Sequence, residues 1–438
     1  MKRRDFSIAL MLFCIGFMAM SVTSTQAQDS LYYRGWVERL ASEECRGRGY
    51  SGKGDSIAAD LIVKEWQRLG LQKWTPDYRQ PVTFPMNLYE GEAFVQFDTQ
   101  DTAMVLFDNV QFEPYSHGVR GTFKVKNVPV KEAAALWKAG KTFANRFVCF
   151  DVSGLNANDS SDKACLDAIQ KICFYNHLYA QGYIVVSEKL RGWHIGYGKL
   201  EKSHMVINVC KSALKEMPHK VEVRLDQCYE PNYTSQNIAA FIPGKSQPDS
   251  FIVFTGHYEH LGKFGKDYTF YGANDNASGA SFVIDLARHF SLPENQPDYS
   301  IAFLHFTGEE GGLWGSFYYC EHPLFPLENI KALINLDMVG TGEEGVTVVN
   351  ATVCPEIFNT LTAINGEKDY LVKVASRKPA ANSDHYPFYK RGCPAVFIYG
   401  MGKSGRYHSK YDTLEAMSLG GYTGLFRLMV DFVQAIDW

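Results

Sequence analysis

Residues 299–310 read YSIAFLHFTGEE: an apolar run with the texture of a strand, ending on two adjacent acids, Glu309 and Glu310. Two other runs end in the same way. FIVFTGH (251–257) closes on His257, and IKALINLDMVG (330–340) delivers Asp337. In an open α/β sheet, ligands bind in the crevice beyond the carboxyl ends of the strands. Acids and imidazoles at those positions converge on one pocket. His257, Asp275, Glu310, Asp337 and His408 make two histidines and three carboxylates, a set that suits a pair of zinc ions, each with nitrogen or oxygen ligands and a position open to water. Such a set implies hydrolysis.

Outward from these runs, the segment from about 233 onward repeats strand, loop and helix. NASGASFVIDLARHF (276–290), PEIFNTLTAIN (355–365) and GLFRLMVDFVQAIDW (424–438) supply the helices. Strands alternating with helices argue for an α/β sheet covered on both faces. Residues 30–87 open with a short helix around Trp36 and Leu40. A second follows, in which Ala58, Ala59, Ile62, Val63, Trp66 and Leu69 recur at helical spacing before Gly70. RGRGYSGKG (46–54) between them is a glycine-rich basic loop, and no strand precedes it as a phosphate-binding loop requires. From 88 to 232 the texture changes to short β-like pieces (EAFVQF, TAMVLF, GTFKVKNV, RFVCFDV, GYIVVS, HMVINV, KVEVRL) around one helical piece, KEAAALWKAGK. SGLNANDSSDK (153–163) reads as an exposed loop. This is a mostly β insertion, expected to shape access rather than do chemistry.

The first residues carry Lys2, Arg3 and Arg4, then an apolar stretch from Phe6 to Met20, then small and polar residues. That order is a signal peptide with cleavage after Ala27, implying export to a periplasm or the exterior. The stretch is short for a membrane span, so no stable membrane insertion is expected. The formal net charge is −4, and the removed segment is net basic, so the mature chain is more acidic still. Nothing here suggests a nucleic-acid partner. Ten cysteines are scattered without a CxxC pair, which excludes a cysteine-rich zinc site. Cys165 and Cys173 are the closest-spaced pair, and export permits a disulfide.

Locally the motifs leave choices open. His260 rivals His257 in TGHYEHLG. Asp275 lies in a glycine-flanked turn before a helix, where it caps the helix or bridges two metals. Glu309 and Glu310 repel when buried together and call for a cation; one can then bind metal while the other serves as general base. Buried Asp337 has to be paired or metal-bound. His305 reads as structural and Glu343 and Glu344 as solvated. Asp384 and His385 compete with His408.

Taken in order, GHYEHLG (256–262), GANDNASG (272–279), TGEEGGLWGS (307–316), NLDMVG (335–340), SDHYPFYKRGCPAVFI (383–398) and YHSKYDT (407–413) resemble the zinc-dependent exopeptidases of metallopeptidase family twenty-eight. These are co-catalytic di-zinc aminopeptidases. The resemblance covers about 235–438, and LASEECRGRG with AADLIVKEWQRLGL looks like the family's opening. It implies a mixed central sheet with helices on both faces. The peptidase domain would comprise 28–87 and 233–438, with 88–232 as an inserted accessory domain and 1–27 as the signal. It makes His257 and Asp337 ligands of one zinc, Glu310 and His408 ligands of the other, and Asp275 the bridge, with a cis bond to Asn276. Glu309 matches the general base that activates a water on the metal pair, and Tyr407 a hydroxyl that steadies the oxyanion. His260, Asp384 and His385 fall on positions that are not direct ligands. Peptides are the implied substrates. One departure stands out: relatives place Asp two residues after the first histidine, and this chain has Glu259. The alternatives are a single-zinc glutaminyl cyclase and a non-catalytic binding protein of the same fold; both are expected to lack part of the two-metal set.

Overall fold

The computed structural model describes residues 30–196, 198–403 and 406–437. The expected signal peptide, residues 1–27, lies outside them. Helix α1 (residues 30–40) and α2 (Gly54–Leu69) come first. Ala58, Ala59, Ile62 and Trp66 are buried along one face of α2, and Gly70 closes it at φ 68°, a left-handed cap that glycine adopts without a Cβ clash. Strand β1 (Arg79–Leu88) follows. A seven-stranded sheet then forms from β2 (Ala93–Phe97), β3 (Val110–Phe112), β4 (Val119–Asn127), β5 (Arg146–Asp151), β6 (Gly182–Ser187), β7 (Met205–Cys210) and β8 (Lys220–Leu225). Their spatial order is β2-β8-β4-β5-β6-β7-β3. Helices α3 (Ala133–Lys138) and α4 (Ser160–Tyr175) fall between these strands in sequence.

The chain returns along β9 (Cys228–Ile242), which pairs antiparallel with β1 from Leu88↔Cys228 to Arg79↔Ile238. Then come β10 (Gln247–His257), the hairpin β11 (Gly262–Phe264) and β12 (Tyr268–Phe270), α5 (Gly279–Phe290), β13 (Tyr299–Phe306), α6 (Trp314–Glu321) and β14 (Ile330–Leu336). The remainder is β15 (Gly345–Val349), α7 (Pro355–Lys368), β16 (Val374–Arg377), α8 (His385–Lys390), β17 (Ala395–Met401) and α9 (Tyr422–Ala435). The second sheet has eight strands in the order β1-β9-β13-β10-β14-β17-β15-β16. Its centre, β13-β10-β14-β17, is parallel, while β9 and β15 run antiparallel to their neighbours in it. The fold is therefore mixed α/β.

Parallel strands covered on both faces read as continuous apolar runs, and side chains alternate between the faces. Ile252, Phe254, Ile334 and Leu336 join Trp66, Phe282 and Leu428 from α2, α5 and α9. Phe251, Val253 and Leu333 face the other way, against Tyr319 of α6 and Phe388 of α8. Register shifts of one residue would invert both sets. The two sheets meet through an aromatic cluster: Trp193 stacks on Phe270 at 5.4 Å, and Phe112 on Phe264 at 5.8 Å. That cluster fixes the hairpin lying between His257 and Asp275.

The structure corrects two local expectations. TAMVLF (102–107) is not a strand; only Leu106 forms an isolated bridge, because Phe107 takes φ 63° and turns the chain toward β3. SGLNANDSSDK is a loop only as far as Asp159. The Asp159 carboxylate accepts hydrogen bonds from the Ser161 and Asp162 amides and so starts α4; the polar run is a helix cap. Cys165 and Cys173 both lie on α4. Eight residues of helix separate them by about 12 Å, beyond disulfide reach, and all nine described cysteines are free. No described helix is long and apolar enough to cross a membrane. Thiol titration of a denatured chain starting after residue 27, without reductant, should therefore give nine thiols; seven would reveal a bridge.

Candidate metal centre

Five elements deliver the expected side chains to one end of the eight-stranded sheet. His257 is the last residue of β10, Glu309 and Glu310 follow β13, and Asp337 follows β14. Asp275 sits in the irregular turn before α5, with a cis bond to Asn276. His408 comes from the loop before α9, at φ 49°. His257 Nε2 lies 3.4 Å from Asp275 Oδ1 and 3.4 Å from Asp337 Oδ1. His408 Nε2 lies 3.2 Å from Asp275 Oδ2 and 2.8 Å from Glu310 Oε2. One carboxylate thus joins two donor sets. Ligand atoms about 2.0–2.2 Å from a tetrahedral ion such as zinc stand roughly 3.3–3.6 Å apart. His257 Nε2, Asp275 Oδ2, Asp337 Oδ1 and His408 Nε2 are buried without a hydrogen bond among the described residues. Buried polar atoms left in that state need another partner. The donor set fits divalent ions.

A network of hydrogen bonds aims these atoms. Ser383 donates to Asp337 Oδ2 at 2.7 Å, which leaves Oδ1 toward His257; Asn335 donates to Ser383 at 2.7 Å, and Thr255 to Asn335 at 2.7 Å. The Asn276 amide spans two loops, donating to the Leu336 carbonyl at 3.0 Å and accepting from the Gly279 and Met338 amides at 2.8 and 3.1 Å. Asp412 accepts from the Asn274 and Asp275 amides at 3.0 and 2.9 Å and holds the bridging turn to the His408 loop. Such supporting partners orient metal ligands.

At Glu259 the extra methylene has a visible consequence. The Nδ1–H of His257 donates to the Glu259 main-chain carbonyl at 3.0 Å, whereas the Glu259 carboxylate is 3.9 Å from that nitrogen and accepts from the Glu310 amide at 3.2 Å. A carbonyl can only accept, so Nδ1 carries the proton and Nε2 is free to bind metal. The backbone orients the first histidine, and the longer side chain reaches across to the second site.

The electrostatics reflect crowding. Burial pushes the Glu309 carboxyl well above its ordinary value; His257 opposes this, while Asp337 and Glu310 add to it. Burial works to raise Asp275, but hydrogen bonds to His257 and His408 outweigh it and hold the group well below. Burial works to lower His408, yet Glu310 and Asp275 hold it up at about 11. Six buried acids (Glu259, Asp275, Glu309, Glu310, Asp337, Asp384) face three histidines (His257, His260, His408). Imidazolium offsets part of this charge, and divalent ions would relieve the same repulsion.

Among the other candidates, His260 Nδ1 is 2.7 Å from Glu310 Oε1, and His260, Asp275 and Glu310 are close enough to hold an ion by themselves. Glu309, 4.0 Å from His257 Nε2, groups likewise with His257 and Asp337. On distance alone His260 stands beside Glu310 as a candidate ligand. Asp384 accepts from Ser316 at 2.5 Å, and His385 packs on Phe397 at 5.6 Å. Tyr407 stacks on His408 at 3.8 Å and is half-exposed at the mouth. His305, inside the protein, donates from Nε2–H to the Ala280 carbonyl at 3.0 Å.

Two contributors escaped the sequence reading. His194, from the segment after β6, lies 4.3 Å from the His408 ring; no local signal marks it. Arg48, in the loop read as glycine-rich and basic, is fully buried. Its guanidinium donates to the carbonyls of Leu40 (2.9 Å), Tyr258 (2.8 Å), Tyr271 (2.7 Å), Gly272 (2.6 Å) and Asp275 (3.3 Å). It clamps the backbone on both sides of the hairpin that separates His257 from Asp275.

The model of Peptidase family M28 matches residues 237–433, so that part of the chain is similar to this family. Aminopeptidase YwaD of Bacillus subtilis is 30% identical over 233 residues, 49% of this chain and 47% of its own length. A probable zinc metalloprotease of Leptosphaeria maculans is 30% identical over 196 residues, 36% of this chain and 45% of its own. The chain thus spans less than half the length of these curated relatives. In fold it is similar to a peptidase M28 precursor from Shewanella amazonensis (TM-score 0.67, 19% identity, 94% and 95% of the two chains). It is also similar to a zinc aminopeptidase from Bacillus subtilis (TM-score 0.65, 20% identity, 92% and 93%).

Removing the Arg48 clamp strands several buried carbonyls. Arg48→Met should lower stability by about 3–5 kcal/mol, read as a shift of the urea midpoint; a change below about 1 kcal/mol would show that water replaces the guanidinium.

Proposed function

We propose that the protein is an exported, two-zinc aminopeptidase that removes N-terminal residues from peptides. The observation that carries this reading is the Asp275 carboxylate, with one oxygen facing His257 and the other facing His408. His257 and Asp337 would hold one ion, Glu310 and His408 the other, and Asp275 both. Zinc ions bound there would polarise the scissile carbonyl and make a water acidic enough to attack at neutral pH. Glu309 lies 4.0 Å from His257 Nε2, its carboxyl raised chiefly by burial. A carboxylate poised in this way takes the proton from the attacking water and returns it to the leaving amine. Tyr407 beside His408 would donate to the oxyanion, and His260 keeps Glu310 in place. The family match and the names of the relatives support zinc and peptides. Export rests on residues 1–27, outside the described residues.

Metal analysis together with hydrolysis of aminoacyl arylamides tests the reading. Two zinc ions per chain are expected. Glu309→Gln should keep both while lowering kcat by roughly 10²–10⁴-fold. One zinc without hydrolysis would favour single-metal acyl transfer instead.

Glu259 supplies an independent check. Because a backbone carbonyl already orients His257, Glu259→Gln should weaken zinc binding by less than about tenfold, the low end of the usual effect of supporting residues. Chelator competition measures it. A loss near a hundredfold would mean that the carboxylate itself supports the imidazole.

A further inference from the structure

A segment that leaves the seven-stranded sheet packs against the His408 side of the candidate metal centre. Residues 189–194 follow β6 and are fixed onto the loop that carries His408. The Trp193 amide donates to the His408 carbonyl at 3.3 Å, and a Cβ on Gly192 would stand 3.0 Å from that of His408. His194 faces His408 ring to ring. Against this segment opens a cleft of about 390 Å³, lined by Phe107, Asp108, Lys189, Arg191, Tyr407 and His408 among others. That size lies within the range of small-ligand pockets, about 300–1,000 Å³.

Charge in the cleft is one-sided. Asp108, the one acid lining it among the described residues, is already engaged by Lys410 at 2.8 Å and Tyr411 at 2.9 Å. Lys189 and Arg191 are exposed. Among the described residues neither has a carboxylate within 4.0 Å: Glu113, which feels the charge of Arg191, is held by Asn208 at 2.7 Å. Both cations therefore face solvent beside an acid-rich centre, on a segment whose position is tied to a metal-binding side chain. An anion entering the cleft would meet two donors able to form charge-assisted hydrogen bonds.

Resting on the peptidase reading above, we propose that Lys189 and Arg191 select peptides that carry a carboxylate close to the scissile bond. The carboxylate is either an acidic side chain or the free C-terminus of a short peptide. Two matched pairs separate these sources: alanyl-glutamate amide against alanyl-glutamine amide, and alanyl-glycine against its amide. Each is followed as kcat/KM with the zinc-loaded full chain and with the Lys189→Ala/Arg191→Ala double variant. Binding of the same peptides is measured by calorimetry in a Glu309→Gln background. The charged member of at least one pair should be preferred about three- to tenfold, the scale of two partly exposed ion pairs. The preference should shrink as salt rises and fall to about one in the double variant. Equal rates and affinities within both pairs, or a preference that survives the double substitution, would overturn the proposal. If no peptide is hydrolysed, the peptidase reading falls, and the calorimetric ratios alone decide whether the cleft selects carboxylates.

Discussion

The repulsion among acids buried at the ends of β10, β13 and β14 is the constraint around which the rest of the site is organised. A carboxylate withdrawn from water without a partner costs several kcal/mol, and here six lie in one small region. The fold meets that cost with hydrogen bonds aimed at specific oxygens. Ser383 takes Asp337 Oδ2, His260 takes Glu310 Oε1, Ser316 takes Asp384 Oδ1, and the Glu310 amide takes Glu259 Oε1. In each case the other oxygen is left for something else. The oxygens left over at Asp275, Glu310 and Asp337 are the ones that face His257 and His408. The network therefore selects which oxygens are available, and a two-ion reading follows from the remainder.

Placing these acids so closely requires loops that do not drift, and this is where the backbone does most of the holding. Asn276 ties the bridging turn to the β14 loop, Asp412 ties it to the His408 loop, and Arg48 ties it to the hairpin after His257. A guanidinium bonded only to carbonyls is unusual inside a protein, since a carboxylate would be its ordinary partner. Its charge is useful all the same. Asp412, Asp275 and Glu259 all feel it, so the clamp also supplies positive potential beneath the acid cluster.

How much of this could be read from the sequence depended on range. The parallel strands were legible because burial on both faces makes them plain apolar runs, and the acids and histidines at their ends stood out for the same reason. The mixed α/β fold follows directly. Arg48 was not legible: RGRGYSGKG has the composition of a solvent-facing loop, and only the tertiary structure shows one of its two arginines fully buried. The start of α4 was hidden because a capping aspartate and an exposed loop draw on the same residues. TAMVLF looked like a strand until Phe107 turned the chain at positive φ. His194 lies more than 200 residues from His408 in sequence, and its approach depends on the whole aromatic contact between the sheets.

That contact explains why a side chain from one sheet can matter to chemistry at the end of the other. Strands β1 and β9 run antiparallel over their length and carry the chain out of the eight-stranded sheet and back. A two-stranded ribbon alone would let the outer sheet swing. Trp193, Phe107, Phe112, Phe264 and Phe270 prevent this by packing the outer sheet onto the β11–β12 hairpin. The Trp193 indole N–H also donates to the Phe112 carbonyl at 2.8 Å, which anchors the 189–194 segment to the outer sheet itself. The same hairpin is clamped from below by Arg48. The cleft wall and the residues proposed to hold metal are thus referenced to one rigid element, the arrangement that the proposed substrate selection requires.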